Sequence, residues 1–96
     1  MHEIKQKEMI IKIIVMLIPE AQIYLFGSYA RKEPKIGSDI DIAIDAGRRL
    51  TLDELKNAKR LIEALPISQG VDIVDFHRIP VKMRKSILAE GILWKQ

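Results

Sequence analysis

The run Ser38-Asp39-Ile40-Asp41-Ile42-Ala43-Ile44-Asp45 decides the fold. Asp39, Asp41, Ala43 and Asp45 alternate with Ile40, Ile42 and Ile44, and a period of two sends successive side chains to opposite faces of a β-strand. One face of that strand is wholly apolar and must be covered. The other is mostly acidic, with carboxylates at i and i+2 pointing the same way, a few ångströms apart. Unpaired, such carboxylates repel and raise one another's pKa, which favours divalent cations between them.

Upstream, Gln22 opens a short strand-like run, Ile23-Tyr24-Leu25-Phe26, which Gly27-Ser28 ends. Ser28 to Lys32 suits a helical turn or two, and Glu33-Pro34-Lys35-Ile36-Gly37-Ser38 reads as a turn. Residues 3–18 form a helix stopped by Pro19, with Ile4, Ile11, Ile14, Val15 and Ile18 at helical spacing. Met9, Ile10, Ile13, Met16 and Leu17 fill much of the remaining circumference, more than a small domain can bury, which points to a partner.

Downstream, Ala46-Gly47-Arg48-Arg49 is a loop. Thr51-x-x-Glu54 is a capping box opening a helix with Leu52, Leu55, Leu61, Ile62 and Leu65 inward. Pro66 to Gly70 breaks that helix, Val71 to Phe76 is a further strand, and Pro80 to Glu90 is a last helix with Gly91 just past its end. The expected architecture is α/β (α+β), a small β-sheet covered by helices, with three clear strands and a short fourth, in one domain over residues 1–96.

Composition narrows the function classes. The chain is 48% apolar, 30% charged and 5% aromatic, so it folds around Ile, Leu and Val and is no disordered tail. Sixteen Lys and Arg against 13 Asp and Glu give a net charge of +3, mild for a protein that binds by neutralising phosphates. Cysteine is absent, which removes disulfides, thiolate metal sites and thiol nucleophiles, and His2 and His77 are too far apart for a zinc spacing. The longest apolar stretch, Met9 to Ile18 with Lys12 inside it, is about half of the ~20 residues a membrane span needs. Pro19 and Glu20 follow it where a signal peptide needs small residues, so the expected location is cytoplasmic, without membrane or direct nucleic-acid contact.

The chemistry rests on Gly27-Ser28, ten residues, then Asp39-Ile40-Asp41. Gly27 sits where a strand meets a helical turn, so free N–H groups and the Ser28 hydroxyl can hold a phosphate. Mg²⁺ suits a site of few carboxylates completed by phosphates and water. Either element alone is an ordinary cap or solvated strand face. Joined at this spacing, with a third acidic strand later, they make a site.

Tyr24-Leu25-Phe26-Gly27-Ser28-Tyr29-Ala30-Arg31, the ten-residue gap and Ser38-Asp39-Ile40-Asp41-Ile42 resemble the minimal nucleotidyltransferases of the DNA polymerase beta superfamily. Val71 to Phe76 is similar to that family's third acidic strand, and Ile87 to Trp94 to its usual chain end. One departure is Lys32, where the family commonly has glycine. The resemblance implies a nucleotidyltransferase fold with a small mixed sheet, and transfer of a nucleoside monophosphate from a triphosphate, ATP, to an acceptor hydroxyl. It implies Gly27 and Ser28 on the triphosphate and Asp39 and Asp41 on two Mg²⁺ ions, with Arg31 a candidate for a triphosphate oxygen. Periodicity leaves Asp72 and Asp75 open as the third carboxylate; family alignment favours Asp72, as metal ligand and general base, and leaves Asp75 a structural role. Asp45 reads as a loop cap and His77 as a surface residue. Lys56, Lys59, Arg60, Lys82, Arg84 and Lys85 read as solvated helix faces, and Trp94 as a core plug or an interface anchor.

A chain of this size has no room for an acceptor-binding domain, so the resemblance further implies an antitoxin that adenylylates a HEPN-type toxin, on tyrosine. Two other functions compete with it: neutralising the partner by contact alone, or modifying a small molecule as a homo-oligomer.

Overall fold

The computed structural model describes residues 6–34 and 37–96. His2, Glu3 and Ile4 of the N-terminal segment, and Lys35 and Ile36 of the expected turn, lie outside the described residues. The elements run α1 (Lys7–Leu17), β1 (Gln22–Phe26), β2 (Ile40–Asp45), α2 (Leu52–Glu63), β3 (Val71–Asp75), α3 (Val81–Glu90) and β4 (Ile92–Lys95). The strands form one mixed sheet in the order β3-β2-β1-β4; β1 is antiparallel to β2 and β4, and β3 is parallel to β2. Among the described residues, three helices and a four-stranded mixed sheet match the expected fold class.

The isoleucine face of β2 makes the main core. Ile40, Ile42 and Ile44 are buried with Ile23 of β1, Ile10 and Ile14 of α1, Ala58 and Ile62 of α2, and Ile73 of β3. Burying one such side chain is worth about 1.5–3 kcal/mol, so this face holds the layers together. The opposite face carries a smaller cluster, in which Ile87 of α3 packs on Ala43 and Phe76 beside Tyr24, Phe26 and Val74. Because α3 covers only part of that face, the start of β2 stays open on its acidic side.

The capping box on α2 is complete: the Thr51 side chain accepts from the Glu54 amide, and the Glu54 carboxylate accepts from the Thr51 amide. Arg48 donates to both Glu54 oxygens at 2.9 and 2.8 Å and, with the Thr51 amide, holds that carboxyl down at about 2.

Two expectations are revised, on α2 and α1, and two that were open are narrowed. Of the helical turn or two expected at Ser28 to Lys32 there is one, closed by bonds from the Glu33 amide to the Ser28 carbonyl and from the Lys32 amide to the Tyr29 carbonyl. That is the Schellman motif, whose penultimate residue takes a left-handed backbone. Here it is Lys32, at φ 59°, the position where the family commonly has glycine. On α2 the inward stripe passes through Leu55, Ala58 and Ile62, leaving Leu52 in the first turn 60% exposed. On α1 the chain uses most of the apolar circumference itself: Ile10 and Ile14 are fully buried, and Ile11, Ile13, Val15 and Leu17 pack against the core. Only Met9 and Met16 stand out, at 40% and 72% exposed, so Ile10 is no interface position. Trp94, finally, is half-buried against the core on β4, with the Lys7 ammonium 5.8 Å from its ring centre.

Candidate active site

The register of three strands builds the site. Asp41 of β2 lies opposite Phe26 of β1 on one side and Asp72 of β3 on the other. Gly27 follows Phe26 at φ +75°, and a Cβ on it would stand 2.2 Å from the Asp41 Oδ2. Glycine is therefore required there twice, by backbone and by space. A second glycine does the same for the other carboxylate: a Cβ on Gly70, just before β3, would stand 2.4 Å from the Asp39 Oδ1. Sequence reasoning missed Gly70, whose place at the head of an acidic strand was its one signal.

The electrostatics follow from this crowding. Burial, then the neighbouring Asp72 and Asp39 charges, raises the Asp41 carboxyl above its ordinary value, and the Arg31 guanidinium works against the rise. Arg31 thus reaches the site by its field, although its side chain is exposed. In the turn after Gly27, the amides of Ser28, Tyr29 and Ala30 donate in none of the backbone bonds among the described residues, while Arg31 donates to the Gly27 carbonyl at 3.1 Å.

Asp72 and Asp75 separate cleanly. Asp72 is exposed, on the Asp41 face. Asp75 lies opposite Ile44, 2% exposed, accepting from the Leu50 amide at 2.7 Å and the His77 amide at 3.0 Å, with the Arg78 Nε 3.3 Å away. Its carboxylate braces the loops that leave β2 and β3. Asp45 caps its loop, accepting from the Gly47 amide at 2.8 Å. The expectation of a surface His77 is corrected: its ring is half-buried, with Nε2 2.6 Å from Asp45 Oδ1. Arg84 likewise departs from a solvated face, since its Nε is buried without a partner.

The three carboxylates Asp39, Asp41 and Asp72 are neighbours, but among the described residues no set of three acidic or histidine side chains meets the spacing of a metal cage. The donor set nonetheless fits a hard cation: all its donors are carboxylate oxygens, and the repulsion that adds to burial in raising Asp41 is what a divalent ion relieves.

A family model described as polymerase beta, nucleotidyltransferase matches residues 8–95. The chain belongs to this nucleotidyltransferase family. The protein adenylyltransferase MntA of Shewanella oneidensis is 37% identical over 86 residues, which are 85% of this chain and 59% of that relative. Among solved structures, a toxin–antitoxin with AMP-PNP superposes with a TM-score of 0.76 at 32% identity, covering 92% of this chain and 71% of that one. A tri-AMPylated Shewanella oneidensis HEPN toxin in complex with its MNT antitoxin gives a TM-score of 0.69 at 31% identity, covering 93% and 68%. Among the described residues no helix is long and apolar enough to cross a membrane.

Proposed function

We propose that this chain is a magnesium-dependent protein adenylyltransferase. It moves AMP from ATP onto a tyrosine hydroxyl of a HEPN-type toxin and so acts as the antitoxin, in the cytoplasm. The observation that carries the reading is the register that sets Asp41 abreast of Asp72 with the Gly27 turn pressed against it. The MntA relative and the tri-AMPylated HEPN toxin with its MNT antitoxin support the acceptor class.

In this reading Asp39, Asp41 and Asp72 would hold two Mg²⁺ ions, which would supply positive charge against the carboxylates and against the charge that develops on the attacking and leaving oxygens. The chain's own groups do the rest. The Gly27-Ser28 turn offers unbonded amides and a hydroxyl to the triphosphate, and Arg31 adds positive charge beside it. Asp72, exposed at the outer strand, can take the proton of an incoming hydroxyl without the sheet opening. The partner's contribution is position, since a hydroxyl held in line with the leaving pyrophosphate gains most of its rate from orientation.

The test is incubation of the purified chain with radiolabelled ATP and Mg²⁺, with and without the co-expressed HEPN-type partner. Label on the partner, with a mass gain of one or more AMP units, is expected. A tight complex that stays unmodified with ATP and Mg²⁺ present would overturn catalysis in favour of neutralisation by binding.

A further inference from the structure

A cavity of about 230 Å³ lies on the acidic face of the sheet, between the Gly27 turn and α3. Gly27 and Arg31 form one wall, and Met83, Ser86, Ile87 and Glu90 of α3 form the other. Whole-ligand pockets run to roughly 300–1,000 Å³, so this is room for part of a ligand whose remainder lies outside it.

The cavity has an electrical direction. Arg31 marks a positive end beside Asp41. The facing wall is the C-terminal end of α3, where the helix dipole is negative and Glu90 adds a full negative charge. Neither the Glu90 carboxylate nor the Ser86 hydroxyl has a hydrogen-bond or ion-pair partner among the described residues. A phosphate is repelled from that wall. An ionised carboxylate only accepts hydrogen bonds, so what it takes is a group rich in donors.

The order of residues along α3 then fits a nucleotide. Gly91 packs against the Leu25 carbonyl, which sets the Glu90 end of the helix beside Phe26 and Gly27. Met83 is seven residues earlier, about 10 Å up the axis at 1.5 Å per residue, and 37% exposed. Moving away from the phosphate turn, a ligand meets a carboxylate first and an apolar thioether second. Ribose hydroxyls followed by a flat base present the matching sequence.

We propose that this cavity is the nucleoside half of the nucleotide site, with Glu90 accepting from the ribose hydroxyls and Met83 packing on the base; the proposal rests on the nucleotidyltransferase reading above. The test uses the full chain with Mg²⁺ and measures the binding of ATP, 2′,3′-dideoxy-ATP and inorganic tripolyphosphate by calorimetry. The unmodified chain should prefer ATP to the dideoxy form roughly tenfold, as expected for hydrogen bonds to a charged acceptor. Glu90→Ala should abolish that preference while leaving tripolyphosphate binding unchanged, and Met83→Ala should weaken ATP and dideoxy-ATP alike. Both side chains are exposed, so neither variant threatens the fold. A Glu90→Ala chain that keeps its preference for ATP, or that loses tripolyphosphate equally, overturns the proposal alone. An unmodified chain that binds neither ATP nor tripolyphosphate overturns the nucleotidyltransferase reading and this proposal with it.

Discussion

Replacing Gly27 by alanine isolates the contact on which the site depends, because Gly47 supplies a control with the same backbone. Both glycines have φ +75°, but a Cβ on Gly47 meets nothing within 4 Å, whereas one on Gly27 stands 2.2 Å from Asp41 Oδ2. The left-handed backbone costs an alanine about 1–2 kcal/mol at either position. The narrower unfolded ensemble returns about 0.4–1 kcal/mol of that. Gly47→Ala is therefore expected to destabilise by about 0.5–1 kcal/mol. At Gly27 the carboxylate must also swing off its rotamer, adding about 0.5–1.5 kcal/mol. That takes Gly27→Ala to about 1–2.5 kcal/mol, or roughly 4–20 °C in melting temperature at the 4–8 °C per kcal/mol of a domain this size. Function separates the two further, since displacing a catalytic group by an ångström costs on the order of 100-fold. Metal-free thermal melts and initial rates of AMP transfer check both quantities. If Gly27→Ala melts with Gly47→Ala, or transfers within twofold of the unmodified chain, the Asp41 carboxylate does not depend on the turn and the reasoning is wrong.

Asp39→Asn with Asp41→Asn is expected to abolish transfer while the melting temperature at neutral pH holds or rises, because the isoleucine face of β2 is untouched; undiminished labelling of the partner sinks the metal assignment. The same pair sets a pH dependence. The raised Asp41 carboxyl binds its proton more tightly in the folded chain, so its stabilising contribution is full below the ordinary carboxylate range and is lost as pH rises through the raised value. Metal-free melts across that range should show the loss, and Asp41→Asn should remove it. Asp72→Asn should slow transfer by ~10²–10⁴-fold with the fold intact. Asp75→Asn should instead destabilise by about 1.5–3 kcal/mol, the cost of weakening hydrogen bonds to a buried charge; denaturant melts and rate assays on both variants would expose an exchange of these roles. Lys32→Gly should relieve the left-handed strain at the turn and, after glycine's extra unfolded freedom, stabilise by about 0.5–1 kcal/mol. No change in its denaturation midpoint would mean that the turn relaxes around lysine.

What the sequence made legible was local. The alternation from Asp39 to Asp45, the capping box at Thr51 and Glu54, and the Pro80 and Gly91 boundaries each fix geometry within a few residues. They recur as β2, α2 and α3. Long-range register decided what stayed illegible. Asp72 and Asp75 sit on opposite, otherwise apolar faces, and only pairing with β2 shows which carboxylate reaches Asp41 and which is sealed behind Leu50 and His77. His77 meets Asp45 across 32 residues, a contact with no local signal. The lysine at position 32 did carry a signal, as the departure from glycine, and the left-handed backbone explains what the glycine is for. The face of α1 eluded periodicity, because a helix apolar nearly all round has no stripe to read.

The strand order divides the site by how firmly its parts are held. Asp41 lies on β2, and Asp39 and Gly27 adjoin β2 and β1, the inner strands, which pair with neighbours on both sides; Asp72 lies on β3 and Gly70 just before it, and β3 pairs with β2 alone. Inner strands exchange their amide hydrogens only when the whole domain unfolds, and outer strands at lower free energy. In the proposed reaction the end given to the phosphates would therefore keep its shape for as long as the protein is folded, while the end given to the acceptor would open first. Mild denaturant should in consequence lower the transfer rate well before it lowers nucleotide affinity, with protection lost from β3 before β1 and β2.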